Sequence, residues 1–450
     1  MASPRLNRPA RSLALAWLAA AALGCGAREA PDFDVVLVVV DTLRLDRLSF
    51  YGGANPSTPF LDDLARRSVV FERAHSASTW TAPATASLFT SLYPSQHGLW
   101  TGYVAAIALE KLGRINRIPQ AAPTLPQVMR ELGFRTFGVA DNLNISEEMG
   151  FARGFDRFAQ HEHRGASVVN ATVGEWLPEL QAPGRSFLYL HYMEPHAPYP
   201  EHREWLSRGS GADQAARLET WGRRFDPEQL GTALESYDSA LGYLDAHLRE
   251  LYERLGWGEN TLLVLTADHG EEFLDHGHYG HHRPKLYAEL LRVPLAVFFP
   301  ARFAPRRVTD TVSLLDLLPT LRELAGGAAS PLDEGRSLVP LLEGEAQPER
   351  TVLAMRVLEG VVEPAPTLTA AIRGRWKYVV TSPAGIEELF DLETDPGEQR
   401  NAIAEQPTVA AELRAEIAEF EASARRLPRE YGAERTREHE EHLRALGYIQ

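Results

Sequence analysis

Two aspartates and a histidine in this 450-residue chain follow directly on apolar runs. Asp41 closes FDVVLVVV (Phe33–Val40), and Asp268 and His269 follow TLLVLTA (Thr261–Ala267). An aspartate after a strand is more often a cap or turn former than a ligand, and a loop histidine is usually just solvated. Two carboxylates and an imidazole, each at a strand end, nonetheless match the oxygen-and-nitrogen ligand set of a divalent metal. A nucleophile is also at hand. In STWTAPATASLFTSLYPSQHG (78–98), Thr81 precedes Pro83 at what reads as a helix start, where proline's missing N–H is no loss. A hydroxyl there feels the amides and dipole of a helix N-terminus, and a neighbouring metal would ease its deprotonation. Histidines gather in LHYMEPHAPYP (His191, His196) and DHGHYGHHRPK (His276, His278, His281, His282).

The elements that must position these groups are legible as alternating buried strands and amphipathic helices. Strands are expected at Phe33–Val40, Thr136–Ala140, Phe187–Tyr192, Thr261–Ala267 and Val293–Phe299. Helical patterns lie between them at Thr58–Arg67, Thr124–Leu132, Leu234–Leu255 and Leu314–Leu324. This alternation predicts an α/β fold whose ligands sit beyond the carboxyl ends of the strands. The small-residue break GGAASP (Gly326–Pro331) marks a boundary, followed by strands around Thr367–Val380 and a turn-rich stretch at 389–401. Weak periodicity over Trp100–Pro126 reads as a loop over the site. The bland readings of the neighbours are kept: Arg44 and Asp46 brace the first loop, Glu271 anchors the loop after Asp268 and His269, Tyr237 and Asp245 pack and cap, and His161–His163 is a solvated run.

Composition narrows the function. Asp and Glu number 61 against 46 Lys and Arg, a net charge of −15, with no basic stripe, which argues on electrostatic grounds against nucleic-acid binding. The N-terminus carries Arg5, Arg8 and Arg11 before a short apolar run, Leu13–Leu23, and then Gly24-Cys25. That pattern resembles a bacterial lipoprotein signal, with Cys25 as the acylated first residue of the exported chain, held at a membrane surface by lipid in the periplasm or at the cell surface. Cys25 is the one cysteine, so no disulfide forms. The expected divisions are a signal at 1–25, a tether at 26–32, a catalytic domain at 33–328, a C-terminal subdomain at 329–403 and a charged helical tail at 404–450.

From Val35 to Asn401 the chain resembles a sulfatase-type member of the alkaline phosphatase superfamily. The resemblance rests on DTLRLDRLSFYG, TPFLDDLA, PATASLFTSLYPSQHG, LHYMEPHAPY, TADHGEEF, LYAELLRVPL, DLLPTL and the closing KYVV…ELFDLETDPGEQRN. It implies a large, mostly parallel central sheet flanked by helices, with a small C-terminal sheet-plus-helix subdomain. It also implies a metal-dependent hydrolase of sulfate or phosphate esters working through a covalent intermediate. Asp41, Asp268 and His269 fall on the family's metal ligands, Thr81 on its nucleophile and metal-facing position, and His196 on a pocket histidine. His281 falls where sulfatases carry a lysine, and Asn142 lies near another pocket lysine.

The departures from that pattern bear on the chemistry. Sulfatases hold Cys or Ser, followed by x-Pro-x-Arg, and oxidise it to formylglycine; here Thr81 and Thr85 take those two places, and Thr42 replaces a second aspartate. Thr81 with Asp41, Asp268 and His269 resembles one metal half-site of the superfamily's phosphodiesterases and phosphoryl transferases. Asp275, His276, His278, His196 and His281 are the candidates for a second ion. The cofactor expected is a divalent metal, calcium, magnesium, manganese or zinc. The substrate is a small-molecule, glycan or lipid-headgroup ester, with a slight lean to phosphate mono- or diesters. Sulfate-ester hydrolysis without formylglycine is the alternative, and a non-catalytic lipoprotein binding an anionic glycan or headgroup is a third reading.

Overall fold

FDVVLVVV forms the strand at the centre of the molecule because every residue of it from Val35 is buried, as an interior parallel strand requires. The computed structural model describes Met1 and residues 32–54, 56–102, 114–197, 199, 227–281, 283–357 and 367–434. In chain order the strands are β1 (Asp34–Val40), β2 (Val69–His75), β3 (Arg114–Arg117), β4 (Arg135–Ala140), β5 (Arg157–Gln160), β6 (Ser186–Tyr192), β7 (Thr261–Ala267), β8 (Arg292–Phe298) and β9 (Arg306–Ser313). Eight of them form one sheet in the order β5-β4-β6-β1-β7-β8-β2-β9. Only β8 runs against the rest within it, pairing antiparallel with both β7 and β2. All five strands expected from apolar runs are there; β2, β5 and β9 were not expected.

Helices cover the sheet. Two recur below: α1 (Pro59–Arg66) and α2 (Thr81–Thr90), every residue of which is buried. The long helix Pro227–Leu255 packs on α1, and its Asp245 caps α1 from outside, accepting the Phe60 and Leu61 amides at 3.0 and 2.8 Å. The expected helices at Thr124–Leu132 and Leu314–Leu324 appear as Leu125–Glu131 and as a 3-10 turn leading into Leu317–Leu324.

The smaller sheet is antiparallel, in the order β10 (Val352–Val357), β11 (Thr367–Arg373), β12 (Trp376–Ser382) and β13 (Ile386–Asp391). Helix Pro407–Ser423, in the stretch read as a charged tail, lays Ala410, Leu413 and Ile417 into a core shared with Leu353, Tyr378 and Leu389 of this sheet. Residues 338–342, on the C-terminal side of the expected boundary, contribute Leu338, Val339, Leu341 and Leu342 to the main core. The Trp100–Pro126 reading is corrected in part. Arg114–Arg117 is a strand, buries Ile115, and pairs antiparallel with β14 (Glu430–Glu434), a partner too distant in sequence for local periodicity to reveal. Residues 103–113 and 200–226, the Cys25 signal and the tail beyond 434 lie outside the described residues, as does His282.

Candidate functional site

Adjacent parallel strands deliver the central groups side by side. β1 pairs with β7 in the register Val40↔Ala267, so the next residues, Asp41 and Asp268, leave the sheet at one level. Both are fully buried, as is His269. The His269 Nε2 lies 3.6 Å from Asp41 Oδ1 and 3.6 Å from Asp268 Oδ2. Among the described residues these three form the one group of carboxylates and imidazoles whose ligand atoms all lie within 4.8 Å of one another.

The electrostatics of the cluster call for a cation. Burial, and then the charge of Asp268, push the Asp41 carboxyl up. Burial acts on Asp268 in the same direction, but His269 and His191 outweigh it and hold that carboxyl down. Asp41 Oδ1, Asp268 Oδ2 and His269 Nε2 have no hydrogen-bond partner among the described residues. Three orphaned acceptors facing one another in a dry interior are costly unless a cation joins them. His269 donates Nδ1–H to the Gly270 carbonyl at 2.8 Å, which leaves the Nε2 lone pair for a metal. The residues therefore fit a divalent ion.

Thr81 stands beside this group. Its Oγ1 is 3.3 Å from Asp41 Oδ2, and it opens α2, so the first amides of that helix have no acceptor within it. Asn142 reaches the same oxygen, donating Nδ2–H to Asp41 Oδ2 at 2.7 Å, and its own Oδ1 accepts the Asn144 amide at 2.8 Å. One turn below Thr81, Thr85 is fully buried, and its Oγ1 has no partner among the described residues. Thr42, beside Asp41, takes φ 56, a left-handed conformation unfavourable for a β-branched residue. Tyr237 holds it there: its hydroxyl donates to the Thr42 carbonyl at 2.8 Å and accepts the Arg44 amide at 2.7 Å.

A file of imidazoles leads outward from the cluster. The His269 and His281 ring centroids are 4.5 Å apart, and those of His281 and His196 are 5.0 Å apart. Glu271 holds His281, with Oε1 2.9 Å from His281 Nδ1. His196 Nδ1 bonds to the Ala197 carbonyl, and burial pushes this imidazole down. The structure thus brings together Asp41, Asp268, His269, Thr81, Asn142, His196 and His281.

Asp275, His276 and His278 are elsewhere, which corrects their reading as a second metal group. Asp275 binds the Arg44 guanidinium through both oxygens, at 2.7 and 3.1 Å, and Arg44 also grips Asp46 and the Glu271 carbonyl. His276 stacks on Tyr287 and has both nitrogens engaged, with Glu289 at 2.9 Å and the Glu398 carbonyl at 3.2 Å. His278 is exposed. Asp275 and His276 fasten the loop after β7 to its surroundings, through partners as far away in sequence as Arg44 and Glu398. Arg356, at the end of β10, was not singled out from the sequence. It is buried and donates to the Thr79 carbonyl at 2.9 Å, two residues before Thr81.

A mostly parallel α/β sheet with an Asp–Asp–His group at its carboxyl edge is the architecture of the alkaline phosphatase superfamily. Residues 34–328 match the sulfatase family model, and residues 275–423 match that of the N-sulphoglucosamine sulphohydrolase C-terminal region. The chain belongs to the sulfatase family and is an ester hydrolase. It is 26% identical over 451 residues to a Delta 4,5-hexuronate-2-O-sulfatase of Bacteroides thetaiotaomicron, covering 88% of this chain and 90% of that one. It is also 26% identical over 485 residues to arylsulfatase A of Bos taurus, covering 90% of each. Its fold superposes on the phosphonate monoester hydrolase of Agrobacterium radiobacter with a TM-score of 0.70 and 20% identity, over 87% of this chain and 95% of that one.

Proposed function

We propose that this protein is a metal-dependent hydrolase in which Thr81 is the nucleophile, acting on phosphate mono- or diesters. The observation that carries this is the position of the Thr81 hydroxyl, 3.3 Å from Asp41 Oδ2 at the start of α2 and beside three orphaned ligand atoms. A divalent ion held by Asp41, Asp268 and His269 would acidify that hydroxyl and neutralise charge on the substrate. Thr81 Oγ attacks phosphorus and the bond to the leaving oxygen breaks, while the Thr81 and Ala82 amides, which have no acceptor within α2, stabilise the equatorial oxygens. His281, its Nδ1 taken up by Glu271, is placed to pass a proton to the leaving oxygen through Nε2. Water then attacks the phosphothreonine, the P–Oγ bond breaks, and Thr81 is regenerated.

Sulfate esters are the second reading, favoured by the curated relatives, which are sulfatases by name. The same residues would serve. Thr81 and Thr85 tilt the balance to phosphorus, because a threonine cannot become formylglycine and a buried hydroxyl replaces the arginine cation. A non-catalytic binding role gives no reason for a buried hydroxyl beside an orphaned ligand cluster. The sequence around Cys25 supports an exported, lipid-anchored protein that meets glycan or headgroup esters at a membrane surface.

The test is turnover of aryl phosphate, bis-aryl phosphate and aryl sulfate with each divalent ion, for the wild type and Thr81→Ala. Phosphate turnover that disappears in the variant, with a phosphothreonine at 81 trapped by acid quench, is the expected result. Sulfate turnover with the same loss selects the second reading. Activity that survives the substitution removes Thr81 from the chemistry.

A further inference from the structure

A second imidazole lies against the proposed metal group, and neither sequence pattern nor comparison gives it a role. His191 is on β6, the strand on the other side of β1 from β7. Its register partner is Val39, and paired residues point to the same face of a sheet, the face that also carries Asp41 two residues on. That is the α2 face: Tyr189, two residues before His191, packs its ring edge-on against Phe89 of α2, at 4.9 Å. His191 is fully buried, and neither of its ring nitrogens has a hydrogen-bond partner among the described residues. An imidazole buried with both nitrogens unsatisfied is unfavourable by several kcal/mol, on the order of 1–3 for each group. Its Nε2 nevertheless lies 3.8 Å from Asp41 Oδ2 and 3.9 Å from Asp268 Oδ2.

We propose that His191 is a fourth protein ligand of the metal, bound through Nε2, so that three adjacent strands contribute two carboxylates and two imidazoles to one ion. The inference rests on the metal-dependent reading above. Ligand atoms at about 2.1 Å from an ion sit roughly 3.0–3.4 Å from one another in octahedral or tetrahedral sites. His269 Nε2, at 3.6 Å from its two carboxylate oxygens, and His191 Nε2, at 3.8 and 3.9 Å, both need a contraction of less than about 1 Å. Asp268 Oδ2 is common to both sets, while Asp41 turns Oδ1 to His269 and Oδ2 to His191. The consequence is selectivity. A site with one imidazole is compatible with calcium or magnesium, which prefer oxygen; a two-imidazole site shifts the preference towards zinc or iron.

The experiment strips the full chain of metal and titrates it with Zn(II) and Ca(II), comparing wild type, His191→Phe and Asp268→Asn. Pulsed EPR of the Mn(II)-loaded wild type counts coordinated imidazole nitrogens without any substitution. The expected results are two imidazoles in the wild type, and zinc affinity in His191→Phe lowered by about 10–100-fold or more, with a reduced preference for zinc over calcium. One imidazole in the wild type overturns the proposal, even if His191→Phe does not fold. So does zinc affinity lost in Asp268→Asn but unchanged in His191→Phe, and in that case the metal-dependent reading stands. No stoichiometric binding by the wild type removes that reading, and His191 with it.

Discussion

Mild acid should loosen the helix that carries Thr81, through His97. This residue is fully buried and ties α2 to the chain that follows it: its Nδ1 accepts the Leu99 amide at 3.1 Å, and its Nε2 lies 3.0 Å from Ser87 Oγ. The accepting Nδ1 makes the ring neutral, with Nε2–H donated to Ser87. Burial pushes this imidazole down to about 3, from an ordinary value of 6.5. Below pH 6.5 the unfolded chain takes up a proton that the folded chain refuses, so the contribution is complete above that pH and is lost progressively towards pH 3. Between pH 7 and pH 5 one such histidine removes about 2 kcal/mol. His75, also buried and pushed to about 3 by burial and then by Lys377, removes a similar amount. Carboxyls raised by burial, Glu194 to about 7 and Asp245 to about 6, act the other way, since the folded chain keeps their protons.

Comparing variant with wild type isolates His97 from those opposing groups. Urea unfolding followed by tryptophan fluorescence at pH 7, 6 and 5 is the assay, with His97→Gln alongside. The variant should be less stable at pH 7 by about 1–3 kcal/mol, because either Ser87 or the Leu99 amide loses its partner. Its further loss on going to pH 5 should be smaller than that of the wild type by about 2 kcal/mol. Parallel pH dependences for the two proteins would refute the argument.

Two further predictions concern stability away from the chemistry. Asp245→Ala removes the cap on α1 and should cost about 1–2 kcal/mol in urea unfolding, with kcat unchanged. Lys377 and Glu398 form a buried pair at 2.8 Å, so Lys377→Met alone should cost about 3–5 kcal/mol by leaving a carboxylate unpaired. Adding Glu398→Gln should recover part of that loss, and additive losses would contradict the pairing.

The parts of the site that were legible are those where residue type and local context coincide. Asp41, Asp268 and His269 each follow an apolar strand, and parallel strands place such residues together with no further information. Thr81 was legible from its helix start. Strands β2 and β9 escaped because VVFERAH and RRVTDTVS mix charge into a pattern that only pairing with neighbours makes extended. Asp275 and His276 were misread for a related reason. Their residue types suit a metal, but they are occupied by Arg44 and Glu398 from remote parts of the chain and by Glu289. Glu271 was read as an anchor of its loop, and its partner His281, ten residues on, is brought to it only by the fold of that loop.

The seam between the two sheets has a consequence for how such enzymes recombine. Glu398 takes Lys377 and the Ala288 amide with its side chain and His276 with its carbonyl, while Leu286 and Leu291 pack on Ala354, Leu368 and Phe390. A hybrid gene joined between codons 300 and 350 would divide this seam, giving each half a partner with foreign side chains. The loop so released is the one that carries Glu271 and His281. Exchange of the small sheet between relatives should therefore yield working hybrids only when the contacts around His276, Lys377 and Glu398 travel together.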